Sequence, residues 1–362
     1  MGIKGFFLEI LPLIFGEEWK DPEISNVSCD CIILDVPGLI NKLAVNEEKQ
    51  PLITSREVGR RLTLFAKQSA KSIVFISDKS KIPLSLKDAT RAERAARRVD
   101  PYVVSKFVSG GMICKDQILP FDPARVMFDP DSRLKLYQYL QEYLQTADIP
   151  FVYSDLDGCE KCTIDKGTKT PCKLFSEDFT EADHAIAYII SVLLSDKANR
   201  KFTVRTIDSD VVMILLCRFF SHLRTRTIEI RIDRADAKHG FVNLNRMADI
   251  LAERAIHPYT MLGVCVIAGN DFFHKSFYSH GVGIGTIVKA VISRNKDVNT
   301  STTYNLVQSL LAIIRGCSRS EYVPSKPEQR LVAIKNDVGG WNKVDNPYVL
   351  FEKVFLYFTE SE

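Results

Sequence analysis

Four short β-branched apolar runs, each ending in an acidic residue or closely followed by one, constrain the fold of this chain more than any other feature. They are Cys31-Ile32-Ile33-Leu34-Asp35, Ile73-Val74-Phe75-Ile76-Ser77-Asp78, Pro150-Phe151-Val152-Tyr153-Ser154 and Phe202–Asp210. Continuous apolar strands of this length, separated by helical stretches, predict a parallel sheet covered on both faces. The intervening helices are legible as well. Ser132–Thr146 repeats Leu134, Leu136, Tyr137, Leu140 and Leu144 at helical spacing, and Thr180–Leu194 opens with Thr180 as an N-cap. The alternation predicts an α/β fold with a mainly parallel central sheet. Ligands of such sheets bind beyond the carboxyl ends of the strands, where Asp35, Asp78, Asp208 and Asp210 are expected.

At 362 residues, with 46% hydrophobic and 26% charged residues, the chain can bury a full-sized core. It is read as a core in two parts, 1–83 and 131–271, with a basic arch or lid inserted at 84–130, a polar loop insertion at 155–176 and a C-terminal helical region at 272–362. Its net charge of +3 is too small to mark a nucleic-acid binder by itself, so any basic surface must come from patterning. The cysteines are undense and several lie in apolar stretches (Cys31, Cys217, Cys265), which favours a reducing compartment, nuclear or cytoplasmic, over secretion. Val211–Cys217 and Tyr259–Gly269 are too short to span a membrane, so no membrane partner is expected. Glu9 and Pro12 interrupt the apolar Gly5–Phe15 stretch, and Phe6 stands where a myristoylation signal after Gly2 needs Ser or Thr.

The carboxylates carry the chemistry. Glu181 and Asp183 lie two apart at a helix start, Asp208 and Asp210 two apart after a strand, and Asp271 follows the apolar Val264–Ala268. With Asp35 and Asp78 they make seven acids directed at one sheet edge, where they repel one another unless cations neutralise them. All-oxygen ligation selects Mg²⁺ or Mn²⁺, and two such ions about 3.5–4 Å apart form a clamp for in-line phosphodiester hydrolysis. Taken singly, each acid could equally cap a loop or a helix.

Lys87, Arg91, Arg94 and Arg98 follow i, i+4, i+7, i+11 spacing and form one stripe of a helix, suited to a phosphate backbone or simply to solvent. Gly281-Val282-Gly283-Ile284-Gly285 precedes a helix carrying Lys289, and such a turn either caps the helix or holds a phosphate on its backbone N–H groups. Cys159, Cys162 and Cys172 include a Cys-x2-Cys pair. With a fourth ligand such as His184 they would bind zinc; otherwise they are three free thiols. No hydrolase triad or nucleotide-triphosphate loop is present.

Met1-Gly2-Ile3-Lys4-Gly5, Leu34-Asp35, Asp78 with Lys81 and Pro83, Glu181-Ala182-Asp183, Thr206–Asp210 and Ala268–Asp271 recur in the order of the flap endonuclease/XPG-type 5′ nucleases, which the chain resembles from residue 1 to about 290. The resemblance implies a PIN-like nuclease core holding two Mg²⁺ ions, for which Mn²⁺ substitutes, on Asp35, Asp78, Glu181, Asp183, Asp208, Asp210 and Asp271. It also implies a free N-terminus at Gly2 near the scissile phosphate. Lys87 and Arg94 match a Lys and an Arg seven apart at the base of the family's arch, implying stabilisation of developing charge. Gly281–Gly285, with Gly283, Gly285 and Lys289, matches a helix-hairpin-helix grip on duplex DNA assisted by a monovalent ion such as K⁺.

Departures from the family bear on substrate. Asn41 stands where many members place a base-stacking aromatic residue, and Pro37-Gly38 after Asp35 is unusual. Asn270-Asp271-Phe272 and Glu181–His184 are also similar to 5′→3′ exoribonucleases. The expected activity is therefore a 5′ nuclease on branched or 5′-flap DNA, serving replication, repair or recombination, with a 5′→3′ RNA nuclease or a non-catalytic nucleic-acid scaffold as alternatives. A monomer is expected. Phe351–Phe358 ends in an aromatic pair like a sliding-clamp peptide, but Phe351 replaces the required Gln, so clamp contact is not expected. The short chain is similar in form to nucleases of large DNA viruses, which would place it at a viral replication site.

Overall fold

The computed structural model describes residues 3, 6–21, 28–45, 55–66, 70–79, 127, 129–172, 177, 179, 181–195, 199–234, 241–268, 284–317, 332–335 and 341–344. Lys87, Arg91, Arg94 and Arg98, together with Gly2, Thr180, Asp271, Gly281 and Gly283, lie outside the described residues.

The strands are β1 (Lys20–Asp21), β2 (Cys29–Asp35), β3 (Ala70–Ile76), β4 (Phe151–Asp155), β5 (Cys162–Asp165), β6 (Thr168–Pro171), β7 (Lys201–Thr206), β8 (Glu229–Arg234) and β9 (Phe241–Asn243). They form one sheet in the order β1-β9-β8-β7-β2-β3-β4-β5-β6. The central five, β8 to β4, are parallel, as the apolar runs predict. Antiparallel strands close both edges.

Strand side chains alternate between two apolar layers because the pleat has a period of two. Ile32, Leu34, Ile73, Phe75 and Val152 pack with α2 (Val36–Val45), α3 (Ser55–Ala66) and α4 (Pro130–Thr146) on one face. Cys31, Ile33, Val74, Ile76, Phe202 and Val204 pack on the other face with α1 (Leu11–Phe15), α5 (Ala182–Ser195), α6 (Ser209–Arg224), α7 (Leu244–Glu253), α8 (Pro258–Ala268), α9 (Ile284–Ser293) and α10 (Thr303–Cys317). Full burial of each Ile, Leu, Val or Phe contributes about 1.5–3 kcal/mol, so both layers are strongly held. Among the described residues no helix is long and apolar enough to cross a membrane.

From β2 the chain adds β3 and β4 on one side, then returns through α5 to place β7 on the other side of β2. This reversal of strand order leaves a crevice beyond the carboxyl ends of β2 and β7, the usual ligand position in such sheets.

Some details differ from the sequence reading. Within 155–176, Cys162–Asp165 and Thr168–Pro171 form a hairpin that extends the sheet. Its two-residue turn has Lys166 at φ 48° and Gly167 at φ 80°, the left-handed pair that matches strand twist in a tight hairpin. Lys-Gly between two short polar-apolar segments was the local signal. The helix expected from Ser132 starts at Pro130, because Asp129 caps it by accepting from the Ser132 amide at 2.8 Å. In the region read as helical, Val332–Lys335 (β10) and Trp341–Val344 (β11) pair antiparallel.

Candidate metal centre

Asp35 ends the central strand β2, and its carboxylate is fixed from both sides. The Thr206 hydroxyl, at the end of β7, donates to Asp35 Oδ2 at 2.6 Å and accepts from the Asp208 amide at 3.0 Å. One hydroxyl therefore ties the acids of two adjacent strands. On the other side the Gly38 amide donates to Asp35 Oδ1 at 3.3 Å. A Cβ at position 38 would lie 2.5 Å from Asp35 Oδ2, so the unusual Pro37-Gly38 pair lets α2 pass directly over the carboxylate.

Two helices begin at this edge. Asp208 is the N-cap of α6 and accepts from the Asp210 amide at 3.1 Å. Asp78, just beyond β3, accepts from the Ala182 amide at 2.8 Å and so holds the start of α5, where Glu181 and Asp183 lie. Capping and cation binding are compatible, since a carboxylate has two oxygens and about four lone-pair sites. Both helix N-termini present positive partial charge that favours anions here. The chain start also arrives at this edge: the Ile3 amide donates to Ser209 Oγ, between Asp208 and Asp210, at 2.7 Å.

Carboxylate oxygens of Asp183, Asp208 and Asp210 lie within 4.8 Å of one another, the one such convergence of His, Cys, Asp or Glu side chains among the described residues. Asp35, Glu181, Asp183 and Asp210 are buried. Burial pushes the Asp35 carboxyl up to about 7; the charges of Asp183, Asp78 and Asp208 add to the rise, and the Thr206 hydrogen bond opposes it. Asp35 thus lies within electrostatic reach of three other acids.

A second acidic pair, not singled out by sequence reasoning, lies beside the first. Asp155 ends β4 and Asp157 follows it, both buried. Lys79 forms an ion pair with Asp155 and donates to its backbone carbonyl at 3.2 Å. Arg133 on α4 lies 3.8 Å from Asp157, whose amide donates to Ser77 Oγ at 2.7 Å. Lys79, Arg133, Asp155 and Asp157 were all missed, and Thr206 and Gly38 were noted only as parts of motifs, without these roles. Asp155 alone had a local signal, as an acid ending an apolar strand.

Gly285 lies inside the first turn of α9, where an added Cβ would approach Leu13 of the N-terminal helix at 3.5 Å, and Lys289 is exposed on the same helix. Cys159, Cys162 and Cys172 are free thiols that do not converge with His184. Burial pushes Cys159 up to about 12, and Cys162 Sγ accepts from Gln141 at 3.2 Å, as expected of protonated thiols in packing.

The oxygen-only donor set fits a hard divalent cation better than a soft one. The buried, mutually repelling carboxylates fit the same conclusion. No protein-family model matches the sequence, and no curated protein matches it. Among solved structures, the chain is similar to bacteriophage T5 5′-exonuclease with bound zinc, at 15% identity and a TM-score of 0.40 over 91% of this chain and 100% of that one. It is likewise similar to bacteriophage T5 flap endonuclease in a pseudo-enzyme–product complex with DNA and metal ions, at 14% identity and a TM-score of 0.35 over 92% of this chain and 100% of that one.

Proposed function

We propose that this chain is a divalent-cation-dependent 5′ nuclease that hydrolyses phosphodiesters in branched DNA. The observation that carries the reading is the convergence of Asp183, Asp208 and Asp210 beside buried Asp35 at the switch point of a parallel sheet. Asp35, Asp78, Glu181, Asp183, Asp208, Asp210 and Asp271 would hold two Mg²⁺ ions, directly or through water. Such a pair supplies Lewis acidity and a lowered water pKa for in-line displacement at phosphorus.

The protein's own groups do the rest. Thr206 and Gly38 hold Asp35 in one rotamer, so little reorganisation is needed at the reacting centre. The starts of α5 and α6 direct amide dipoles toward an incoming phosphate. Lys87 and Arg94 draw in the scissile phosphate and stabilise charge on its oxygens, while Arg91 and Arg98 extend the stripe along the backbone. Residues 84–130 form the arch that admits a single-stranded 5′ end, and Gly2 approaches the same phosphate. The Gly281–Gly285 turn, with Gly283, Gly285, Lys289 and a K⁺ ion, grips the duplex. The enzyme acts as a monomer.

Incubation with matched 5′-flap DNA and single-stranded RNA in Mg²⁺ tests this. Flap cleavage is expected to dominate, and Asp208→Ala is expected to lower it at least about a thousandfold, several kcal/mol of barrier, while largely preserving DNA binding. Preferential RNA degradation would replace the substrate. Cleavage unchanged in Asp208→Ala would point instead to a scaffold contaminated by another nuclease.

A further inference from the structure

Tyr137 is fully buried on α4, yet its hydroxyl has no hydrogen-bond partner among the described residues. A buried phenol normally finds one, because leaving it unmade costs folding free energy. The ring itself is well used: it packs with the apolar layer that includes Leu34, Val36 and Phe75. Leu34 and Val36 flank Asp35 in sequence, and Phe75 lies two residues before Ser77. Arg133 lies one helical turn before Tyr137 on the same face of α4, and its guanidinium is 3.8 Å from Asp157. The hydroxyl belongs to a stretch of α4 that Arg133, Asp157 and Ser77 tie to the residue next to Asp78. Its electrostatic neighbours agree: burial holds the phenol well above the usual tyrosine range, Arg133 opposes this, and the charges of Asp78, Asp157 and Asp35 reinforce it. The group is therefore a neutral phenol, which offers one O–H donor and accepts as well.

We propose that Tyr137 is a positioning residue for the metal centre, its hydroxyl donating a hydrogen bond to a water that enters the Asp35–Asp78 side with the divalent cation. The inference rests on the metal-dependent reading above and deepens it. On this reading the hydroxyl, unpartnered among the described residues, gains its partner when the cation arrives, and a phenylalanine would fill the same apolar volume without that bond. Outer groups of this kind orient the inner ligands and commonly change metal affinity by about 10–100-fold.

The test compares wild type with Tyr137→Phe in three measurements. Mn²⁺ affinity by calorimetry is expected to fall at least about tenfold in the variant. Metal-free protein is expected to melt at the same temperature or slightly higher, since an unpaired polar atom is removed, while the rise in melting temperature caused by Mn²⁺ shrinks. A tyrosine contribution to the near-ultraviolet difference spectrum on adding Mg²⁺ is expected in wild type and absent in Tyr137→Phe. Equal Mn²⁺ affinity in both proteins, or a variant that is destabilised without the cation, would overturn the role of Tyr137 while leaving the nuclease reading intact. No Mn²⁺ uptake by wild type would overturn both. Should Tyr137→Phe fail to fold, the wild-type difference spectrum decides: no tyrosine perturbation on adding Mg²⁺ overturns the inference.

Discussion

Two acidic regions share one sheet edge and solve the same electrostatic problem in opposite ways. At the end of β4, Asp155 pairs with Lys79 and Asp157 faces Arg133, so buried carboxylates meet protein cations. At the ends of β2 and β7, Asp35 meets Asp183, Asp78 and Asp208 instead, and its carboxyl is pushed up to about 7 by burial and by those like charges. A buried charge that the chain neutralises serves structure. A buried carboxyl such as Asp35, raised by the like charges of Asp183, Asp78 and Asp208, suits a cation supplied from outside, and oxygen-only donors suit a hard one.

Breaking the internally neutralised side gives the largest effect. Lys79→Met leaves Asp155 buried without its partner and is expected to destabilise the metal-free protein by about 3–5 kcal/mol in denaturant titration. Adding Asp155→Leu to that variant is expected to recover most of the loss. If Lys79→Met alone is neutral, the two halves of the edge do not differ in how their carboxylates are neutralised.

A smaller effect, on the other side, depends on pH. The folded Asp35 carboxyl titrates near 7 rather than 3.8, so the folded state holds the proton more tightly than the unfolded chain. Its contribution is therefore most favourable below about pH 4, and up to about 4 kcal/mol is lost as pH rises through 7. Asp35→Asn is expected to remove this slope from the stability of the metal-free protein. Mg²⁺ is expected to restore stability increasingly across the same window. A wild-type profile indistinguishable from that of Asp35→Asn would refute the electrostatic destabilisation of the buried Asp35 carboxylate.

The sheet was legible in the sequence because β-branched runs report burial on both faces, and the acids after them were legible because strand ends are local features. The same strategy could not find Thr206, whose value lies in a hydroxyl reaching across to Asp35 from a strand 171 positions later. Nor could it find Tyr137, which reads as one more apolar position of a helix until its hydroxyl is located. Gly38 was noticed as an oddity, and only the 2.5 Å approach to Asp35 gives it a reason. The hairpin in 155–176 was hidden because its strands are short and mostly polar, carrying no long apolar period. Thus what a residue does within its own segment was readable, and what it does for a neighbouring strand was not.

Titration of the metal-free protein with Mn²⁺, followed by electron paramagnetic resonance, addresses the central claim most directly. Wild type is expected to take up two ions per chain, and the combined variant Asp183→Asn, Asp208→Asn, Asp210→Asn to take up neither at the same concentration. Uptake of no ion by wild type, or equal uptake by the variant, would contradict the account.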